Sequence, residues 1–290
     1  MKKIRLKAMA KINLGLDVVR KREDGYHEVR MIMQNIHMYD QIQLELLNQP
    51  GIRVRTNLSY LPVNEDNLVY RAAKLMMEEF RIKQGIFIDL KKFIPVAAGM
   101  AGGSSDAAAV MVGVNRMFRL NLSVEELMKR GVKIGADVPY CIMRGTALAE
   151  GIGEILTPLP SPPECHVLIA KPAIHVSTKF VYTNLKADQL SWHPDIDGQI
   201  QAIKAKDLKG MASLTGNVLE TVTIPAYPVI QEIKDAMMEA GALTACMSGS
   251  GPTVFGLFDD LNKARTAYDY LYRTDKAKQV YITGFFRNHR

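Results

Sequence analysis

Apolar and polar residues alternate near the start of the chain. Between residues 4 and 19 apolar side chains recur at every second position, as at Ile12 and Leu14, and Lys11 and Asn13 fall between them. A period of two predicts a half-buried strand, with Lys11 and Asn13 on the opposite face from the apolar residues.

The pattern becomes helical further along. After a charged turn at 20–27, residues 29–39 resume extended character. Residues 66–80 begin with a cap-type residue and carry apolar side chains at spacings of three and four from Leu68 onward, which predicts an amphipathic helix. Residues 85–94 return to strand character. The first part of the chain is therefore predicted to be a β-rich layer with a helix packed on it.

Small residues dominate the next segment. Residues 96–113 are apolar and rich in glycine, alanine and serine, which predicts a loop that leads into a buried helix. Ser123 and Glu126 form a capping box for a helix expected to run to about Gly135, and a short helix is expected near Asp137.

Four prolines lie between residues 158 and 163. Such a cluster cannot continue a helix or a central strand, so we expect a domain boundary there, with domains at 1–160 and 161–290. Beyond it the pattern predicts strand 166–170, helix 177–185, further helices to about 216, helix 228–240, strands 243–247 and 253–258, helix 260–273 and strand 280–286. This order resembles a ferredoxin-like domain with a helical insertion and indicates an α+β fold.

Composition and charge narrow the classes of protein. Lys and Arg outnumber Asp and Glu by 37 to 30, a net charge of +7 that favours anionic ligands of unspecified kind. The three cysteines form no CxxC pair, so neither a disulfide framework nor a cysteine zinc site is predicted. Polar residues interrupt the first apolar stretch, and no run of apolar residues is long enough to cross a membrane. We expect a cytoplasmic protein with no membrane partner.

The glycine-rich segment PVAAGMAGGSS at 95–105 is the main candidate for chemistry. Gly99, Gly102 and Gly103 would let backbone amides approach a ligand, and serine hydroxyls follow where the helix begins. Helix N-termini attract phosphate groups. Tight packing of a small-residue helix against a sheet is the simpler alternative. The chain has no Walker A lysine and no GxGxxG motif, and it lacks the HRD and DFG signatures of protein kinases.

A second glycine-rich stretch at 247–256 lies between two predicted strands and would by itself predict only a hairpin turn. Together with the N-terminal KINLGL and the loop at 95–105, it closely resembles the three motifs of the GHMP small-molecule kinases. The resemblance is carried by AKINLGL at 10–16, DGYH at 24–27, AGGSSDAA at 101–108, GADVP at 135–139 and SGSGPTVF at 248–255. These motifs extend over most of the chain.

This resemblance implies an N-terminal domain like ribosomal protein S5 domain 2, a ferredoxin-like C-terminal domain, and an active site in the cleft between them. The motifs most closely resemble those of the family branch that uses ATP to phosphorylate the tertiary 2-hydroxyl of 4-diphosphocytidyl-2-C-methyl-D-erythritol, in the non-mevalonate route to isoprenoid precursors. Mg²⁺ is expected with ATP. The protein is expected to be a monomer or homodimer without a nucleic-acid partner.

The resemblance also implies two catalytic residues. Lys11 would reach the transferred phosphoryl group or the acceptor hydroxyl, although a lysine on a strand face is otherwise a solvated surface residue. Asp137 would act as the base toward the acceptor hydroxyl, although it could simply cap a short helix. Phosphoryl transfer depends on positioning and on neutralising charge, which fits one cation and one carboxylate.

Other residues are assigned to binding by the same resemblance. Tyr26 and His27 would stack on and pair with the pyrimidine. The remaining substrate contacts would come from Asn13, Thr178, Tyr182, Gly249 and Ser250. The ATP phosphates would be bound by Pro95, Val96, Ala97, Ala98, Gly99, Met100, Ala101, Gly102, Gly103, Ser104 and Ser105, and adenosine by Asn67 and Lys92. Ala98 and Ala101 stand where the family often has glycine, and Ser105 is a candidate Mg²⁺ ligand, but no carboxylate metal site is predicted.

Two alternatives remain open. A GHMP kinase of another specificity, such as a mevalonate or homoserine kinase, would keep the glycine loops but has no reason to keep DGYH at 24–27 as a pyrimidine platform. A basic RNA-binding protein with an S5-like fold would fit the net charge of +7. The positive charge is scattered, however, and no RNP-type aromatic motif occurs.

Overall fold

A computed structural model describes residues 2–287 and divides them into two compact units. The first unit is formed by the described residues of Met1–Ala10, Met38–Val96 and Ala101–Arg144, and the second by those of Lys11–His37, Ala97–Met100 and Gly145–Arg290. Strands β1 (Lys3–Lys21) and β2 (His27–Leu47) are each divided between the two units. This division does not follow the expected boundary at residue 160, which stays a prediction.

The first unit is a sheet covered by helices. Strand β3 (Ile52–Thr56) pairs in parallel with β4 (Gly85–Lys91), and β4 pairs antiparallel with the second half of β2. The helices are α1 (Leu68–Glu79), α2 (Gly102–Phe118), α3 (Val124–Gly131) and α4 (Val138–Met143). Helix α2 packs on α1 and α4, and its Gly113 lies directly against Leu6 and Leu44 of the sheet. A larger residue at 113 would force α2 away from the strands.

The predicted elements of this unit are confirmed, with differences at their ends. Strand β2 extends well beyond residues 29–39. The capping box of Ser123 and Glu126 is present. Helix α3, however, ends at Gly131 rather than near Gly135, because the chain tightens into turns in which Lys133 and Ile134 donate to carbonyls three residues back. Strand β3 was not predicted.

Sequence patterns also missed a hairpin in the second unit. Strand β5 (Thr146–Glu150) pairs antiparallel with the first half of β2, and β6 (Ile155–Leu159) pairs antiparallel with β5. Pro158 lies within β6, which pairs with no other described strand than β5. Proline is compatible with an edge strand because an N–H facing solvent is not needed for pairing. The proline cluster therefore excludes a central strand but not this one.

The rest of the second unit has the predicted topology. Strands β7 (His166–Lys171), β9 (Thr244–Met247), β10 (Val254–Phe258) and β11 (Gln279–Gly284) form an antiparallel sheet in the order β11-β7-β10-β9. Helices α9 (Val229–Glu239) and α10 (Leu261–Arg273) pack on it. This is the order of a ferredoxin-like sheet, so the α+β prediction is confirmed.

The helical insertion lies between β7 and α9. Its helices are α5 (Thr178–Asn184), a 3₁₀ turn at Ala187–Gln189, α6 (Ile196–Lys204), α7 (Leu208–Ser213) and α8 (Glu220–Ala226). Between α7 and α8, the two-residue strand β8 (Gly216–Asn217) pairs in parallel with β1 at Gly15 and Leu16. Helix α8 was not predicted, and it contains Pro225. Within residues 2–287, no helix is both long and apolar enough to cross a membrane.

Candidate active site

The start of α2 is a set of unpaired backbone donors. Ser105 N donates to the Ala101 carbonyl at 2.8 Å, which is the first bond of the helix. The N–H groups of Gly102, Gly103 and Ser104 have no hydrogen-bond acceptor among the described residues. Ala101 occupies the N-cap position with φ of 53° and supplies no capping side chain. Free amides at the positive end of a helix are typical of a phosphate site.

The middle of the predicted loop belongs to the second unit. There the Gly99 carbonyl accepts a hydrogen bond from Ser248 Oγ at 2.9 Å. Gly99 has φ of +71°, and a side chain on it would collide with the Ser248 carbonyl. The Met100 carbonyl accepts from Lys11 N at 3.2 Å. The second glycine-rich stretch therefore packs against the first, a contact that sequence spacing did not indicate.

Lys11 is buried rather than solvated. Its side chain is on β1, the residue is 4% exposed, and its Nζ donates to Asn13 Oδ1 at 2.6 Å. Asn13 in turn donates from Nδ2 to Met31 Sδ at 3.2 Å. No described carboxylate of the second unit lies within ion-pair distance of Lys11. The Lys11 side chain is therefore placed to donate to an anionic group bound beside it.

Asp137 lies in the first unit, directly before α4. It occupies the N-cap position, yet its side chain makes no capping hydrogen bond. The carboxylate also forms no ion pair or hydrogen bond with any described residue of its own unit. The simple explanation that Asp137 caps α4 is therefore wrong, and its oxygens are free to accept a hydrogen bond.

The DGYH motif forms a tight turn that presents aromatic rings. Arg22 N donates to the Tyr26 carbonyl at 2.8 Å, and Tyr26 N donates to Asp24 Oδ1 at 3.1 Å. Tyr26 is 61% exposed. His27 is buried, and its ring centroid lies 5.2 Å from that of Tyr182 at an angle of 43°. We define as the aromatic wall the ring pair of His27 and Tyr182 together with Tyr26, which directly precedes His27 in the chain.

His27 has unused hydrogen-bonding capacity. Its Nε2 is buried without a partner among the described residues. Burial, assisted by the charge of Lys21, lowers the pKa of His27 below its ordinary value. The imidazole is therefore neutral at pH 7, and a neutral imidazole suits an uncharged polar ligand such as a nucleobase edge.

Two further polar contacts in the second unit hold the second glycine-rich stretch, one from α5 and one from β8. Thr178 Oγ1 and Ser250 Oγ are 2.8 Å apart, which links α5 to the second glycine stretch. Asn217, which sequence reasoning missed, donates to the carbonyls of Met247 and Gly249, each at 2.8 Å. Only a two-residue strand carries Asn217, and so no periodic pattern pointed to it.

The two residues expected to contact adenosine are engaged within the protein. Asn67 is the N-cap of α1, where its side chain accepts from Val69 N at 3.1 Å and donates to the Pro62 carbonyl at 2.7 Å. Lys92 is 7% exposed and pairs with two carboxylates. Their contacts with adenosine stay predictions.

A protein-bound metal is not indicated by side-chain clusters. Within the described part of the chain, no group of three His, Cys, Asp or Glu residues is arranged to hold a metal ion. Ser105 Oγ is buried and donates to the Met9 carbonyl at 2.7 Å. Because this hydrogen bond uses the hydroxyl proton of Ser105, its oxygen could bind a cation only through its lone pairs.

Comparisons with known families identify the class of protein. The profile described as GHMP kinases N terminal domain matches residues 67–145, and GHMP kinases C terminal matches residues 199–277. A 4-diphosphocytidyl-2-C-methyl-D-erythritol kinase from Lachnospira eligens is 59% identical over 286 residues, covering 99% of each chain. The same-named protein from Lachnoclostridium phytofermentans is 57% identical over 98% of each chain. The chain therefore belongs to the GHMP kinase family and is an ATP-dependent kinase.

Solved structures agree with this assignment. A crystal structure of 4-(cytidine 5'-diphospho)-2C-methyl-D-erythritol kinase matches with a TM-score of 0.84 and 29% identity, over 98% of this chain and 100% of that one. A homoserine kinase from Cytophaga hutchinsonii matches with a TM-score of 0.78 and 20% identity, over 100% of this chain and 96% of that one. The latter shows the shared fold alone. The expected two-domain GHMP kinase fold is confirmed.

Proposed function

We propose that this kinase transfers the γ-phosphoryl group of ATP to the 2-hydroxyl of 4-diphosphocytidyl-2-C-methyl-D-erythritol, in the non-mevalonate route to isoprenoid precursors. The observation that carries this proposal is the aromatic wall, in which exposed Tyr26 precedes the His27–Tyr182 ring pair in the chain and the buried Nε2 of His27 has no partner among the described residues. Such a wall can stack on a cytosine and hydrogen-bond to its edge. The name of the relatives at 59% and 57% identity supports the same substrate.

The phosphate groups of ATP would bind at the start of α2. Three free amides and the positive end of a 17-residue helix favour anions there. Mg²⁺ bound with ATP would neutralise phosphate charge, with the Ser105 oxygen as the candidate protein ligand. The protein's own contribution is to fix the direction of the phosphate chain through N–H groups that need no rearrangement.

Lys11 and Asp137 would act on the reacting oxygens. The Lys11 ammonium would stabilise the negative charge that develops on the transferred phosphoryl group. The free Asp137 carboxylate would orient the acceptor hydroxyl and accept its proton late in the reaction. A carboxylate is a weak base toward an alcohol, but a loose transition state does not require the nucleophile to be ionised before transfer begins.

The test is a comparison of acceptor alcohols in one assay. The purified protein is incubated with ATP, Mg²⁺ and either the cytidyl substrate, mevalonate or homoserine, and phosphate ester formation is followed by ³¹P NMR. We expect kcat/KM for the cytidyl substrate to exceed that for the other two by about 10⁴-fold, since buried groups for the base would be left unpaired. Comparable activity on mevalonate or homoserine would instead establish the alternative GHMP specificity.

We also propose that the kinase works in the cytoplasm as a monomer or homodimer, without a nucleic-acid partner. The scattered distribution of its +7 charge supports this proposal. RNA titration at low and moderate salt checks the absence of a nucleic-acid partner, and we expect no binding. RNA that bound at low salt and lost affinity steeply as the salt concentration rose would contradict this part of the proposal.

A further inference from the structure

Three charged side chains are buried together in the first unit. Asp40 on β2, Lys92 after β4 and Asp106 on α2 are 0%, 7% and 2% exposed. Lys92 Nζ forms an ion pair with Asp40 Oδ2 and lies 2.7 Å from Asp106 Oδ2. Charges removed from water are tolerated only when they are paired. The cluster therefore depends on all three members being in place.

Asp40 also fixes the backbone that enters the predicted phosphate loop. Its Oδ1 accepts from Phe93 N at 2.5 Å and from Ile94 N at 2.8 Å. Both carboxylate oxygens are thus occupied, one by the ammonium and one by two backbone donors. These bonds hold the chain immediately before Pro95.

Asp106 fixes the other end of the loop. It is the fifth residue of α2, and it lies beside Ser105, whose hydroxyl donates to the Met9 carbonyl. A methyl group on Gly102 would lie only 3.1 Å from Lys92 Nζ. A glycine at 102 therefore leaves room for the ammonium to lie beneath the first turn of α2.

Asp40 and Asp106 differ in how many hydrogen-bond partners they have. Asp40 accepts three hydrogen bonds, whereas Asp106 Oδ1 is buried without a described partner. Burial raises the pKa of Asp106 well above its ordinary value, and Lys92 only partly opposes this shift. Burial alone would lower the pKa of Lys92, but the two carboxylates outweigh it and raise that pKa. Asp106 therefore retains a proton more readily than an ordinary aspartic acid.

We propose that Asp40, Lys92 and Asp106 form a charged clamp that holds residue 94 and the first turn of α2 in fixed register, and so sets the affinity for the phosphates of ATP. This inference rests on the proposed role of the α2 amides. All three are positioning residues. In this arrangement the effect of Lys92 on the phosphates comes through the clamp, separately from the contact with adenosine that is predicted for it.

The decisive measurement is the Kd of a non-hydrolysable ATP analogue, obtained by calorimetry on the full chain. We expect Asp40→Asn and Lys92→Met each to raise this Kd by about tenfold or more, because misaligned amides lose charge-assisted hydrogen bonds. KM for the alcohol substrate should change by less than about twofold. Asp89→Asn is the matched control, since Asp89 on β4 pairs with Arg55 on β3 in the same unit without contacting the loop. It should leave the Kd unchanged.

A double variant separates positioning from stability. Asp40→Asn with Lys92→Met leaves Asp106 as the last acid of the cluster, and without the opposing charge of Lys92 burial favours its protonated form. The melting temperature of this double variant should therefore recover relative to Lys92→Met. Its analogue Kd should remain raised about tenfold, because the contacts that register the loop are still missing. Recovery of both stability and affinity would overturn the proposal and leave the cluster a stabilising feature only.

Asp106→Asn tests the clamp if the other variants do not fold. It removes the weakest member, and we expect the Kd to rise by about threefold. An unchanged Kd with this variant would overturn the clamp. Failure of the unmodified protein to bind the analogue at all would instead contradict the proposed phosphate site, so the two proposals fail in different ways.

Discussion

The start of α2 and the aromatic wall of the second unit are built from different parts of the chain. At α2 the groups that could bind a ligand are the backbone amides of Gly102, Gly103 and Ser104. The buried ion pair of Lys92 and Asp106 lies in the same region. At the aromatic wall the corresponding groups are side chains, namely rings and a neutral imidazole. A backbone amide is present in every residue, whereas a ring is not. Phosphate binding at α2 should therefore tolerate changes of sequence that keep the backbone geometry, whereas nucleoside binding at the aromatic wall should not.

The largest effect on activity is expected from Lys11→Met. Loss of the buried ammonium removes charge stabilisation in the transition state, which should cost about 3 kcal/mol in kcat/KM. Lys204→Met, at an exposed lysine in the second unit, is the control and should have no effect. Circular dichroism and steady-state kinetics check the pair. Failure of Lys11→Met to fold would show that this lysine is structural.

Asp137→Asn tests the proposed base of the first unit. Because its carboxylate is free in its own unit, the amide should fit without disturbing the fold. We expect kcat to fall about 100-fold while substrate affinity stays nearly intact, since positioning and proton acceptance act mainly in the transition state. Asp66→Asn, an exposed residue of the same unit, is the control. Turnover near that of the unmodified protein would remove Asp137 from the mechanism.

Tyr26→Ala tests whether the aromatic wall serves the nucleoside alone. Loss of one stacked ring should weaken binding of the cytidyl substrate by about 1 to 3 kcal/mol and leave ATP affinity unchanged. Isothermal titration with each ligand separately measures both affinities. Tyr60→Ala removes a similarly exposed tyrosine in the first unit and should alter neither affinity. A loss confined to ATP would place Tyr26 in the wrong pocket.

The smallest effect concerns the backbone of the phosphate loop. Ala101 has φ of 53°, a left-handed conformation that is costly for a residue with a side chain. Ala101→Gly should therefore raise the free energy of unfolding by up to about 1 kcal/mol. Ala98→Gly is the matched control, because Ala98 is buried and has no positive φ, and it should lower stability by about 1 kcal/mol. Urea unfolding compares the two, and equal losses would contradict the strain at Ala101.

Much of the fold could be predicted from local patterns. The alternation through Ile12 and Leu14 predicted β1, and the helical spacing after residue 66 predicted α1. The order of elements after β7 predicted a ferredoxin-like sheet, which the strand order β11-β7-β10-β9 confirms. Such patterns are local because periodicity and capping depend on residues only a few positions apart. The hairpin of β5 and β6 escaped because its strands are short and one contains Pro158.

The candidate site, like the fold, could be predicted only in part from the sequence. Sequence motifs alone determined the family and named Lys11, Asp137 and the aromatic turn, because glycine loops and reactive side chains are fixed by residue type. Only the tertiary structure decided that Lys11 is buried beside Asn13 and that Gly99 lies against Ser248. It also placed Lys92 between Asp40 and Asp106, residues 52 and 14 positions away in the chain. Such partners are chosen by burial and charge pairing across the fold, and no local spacing encodes them.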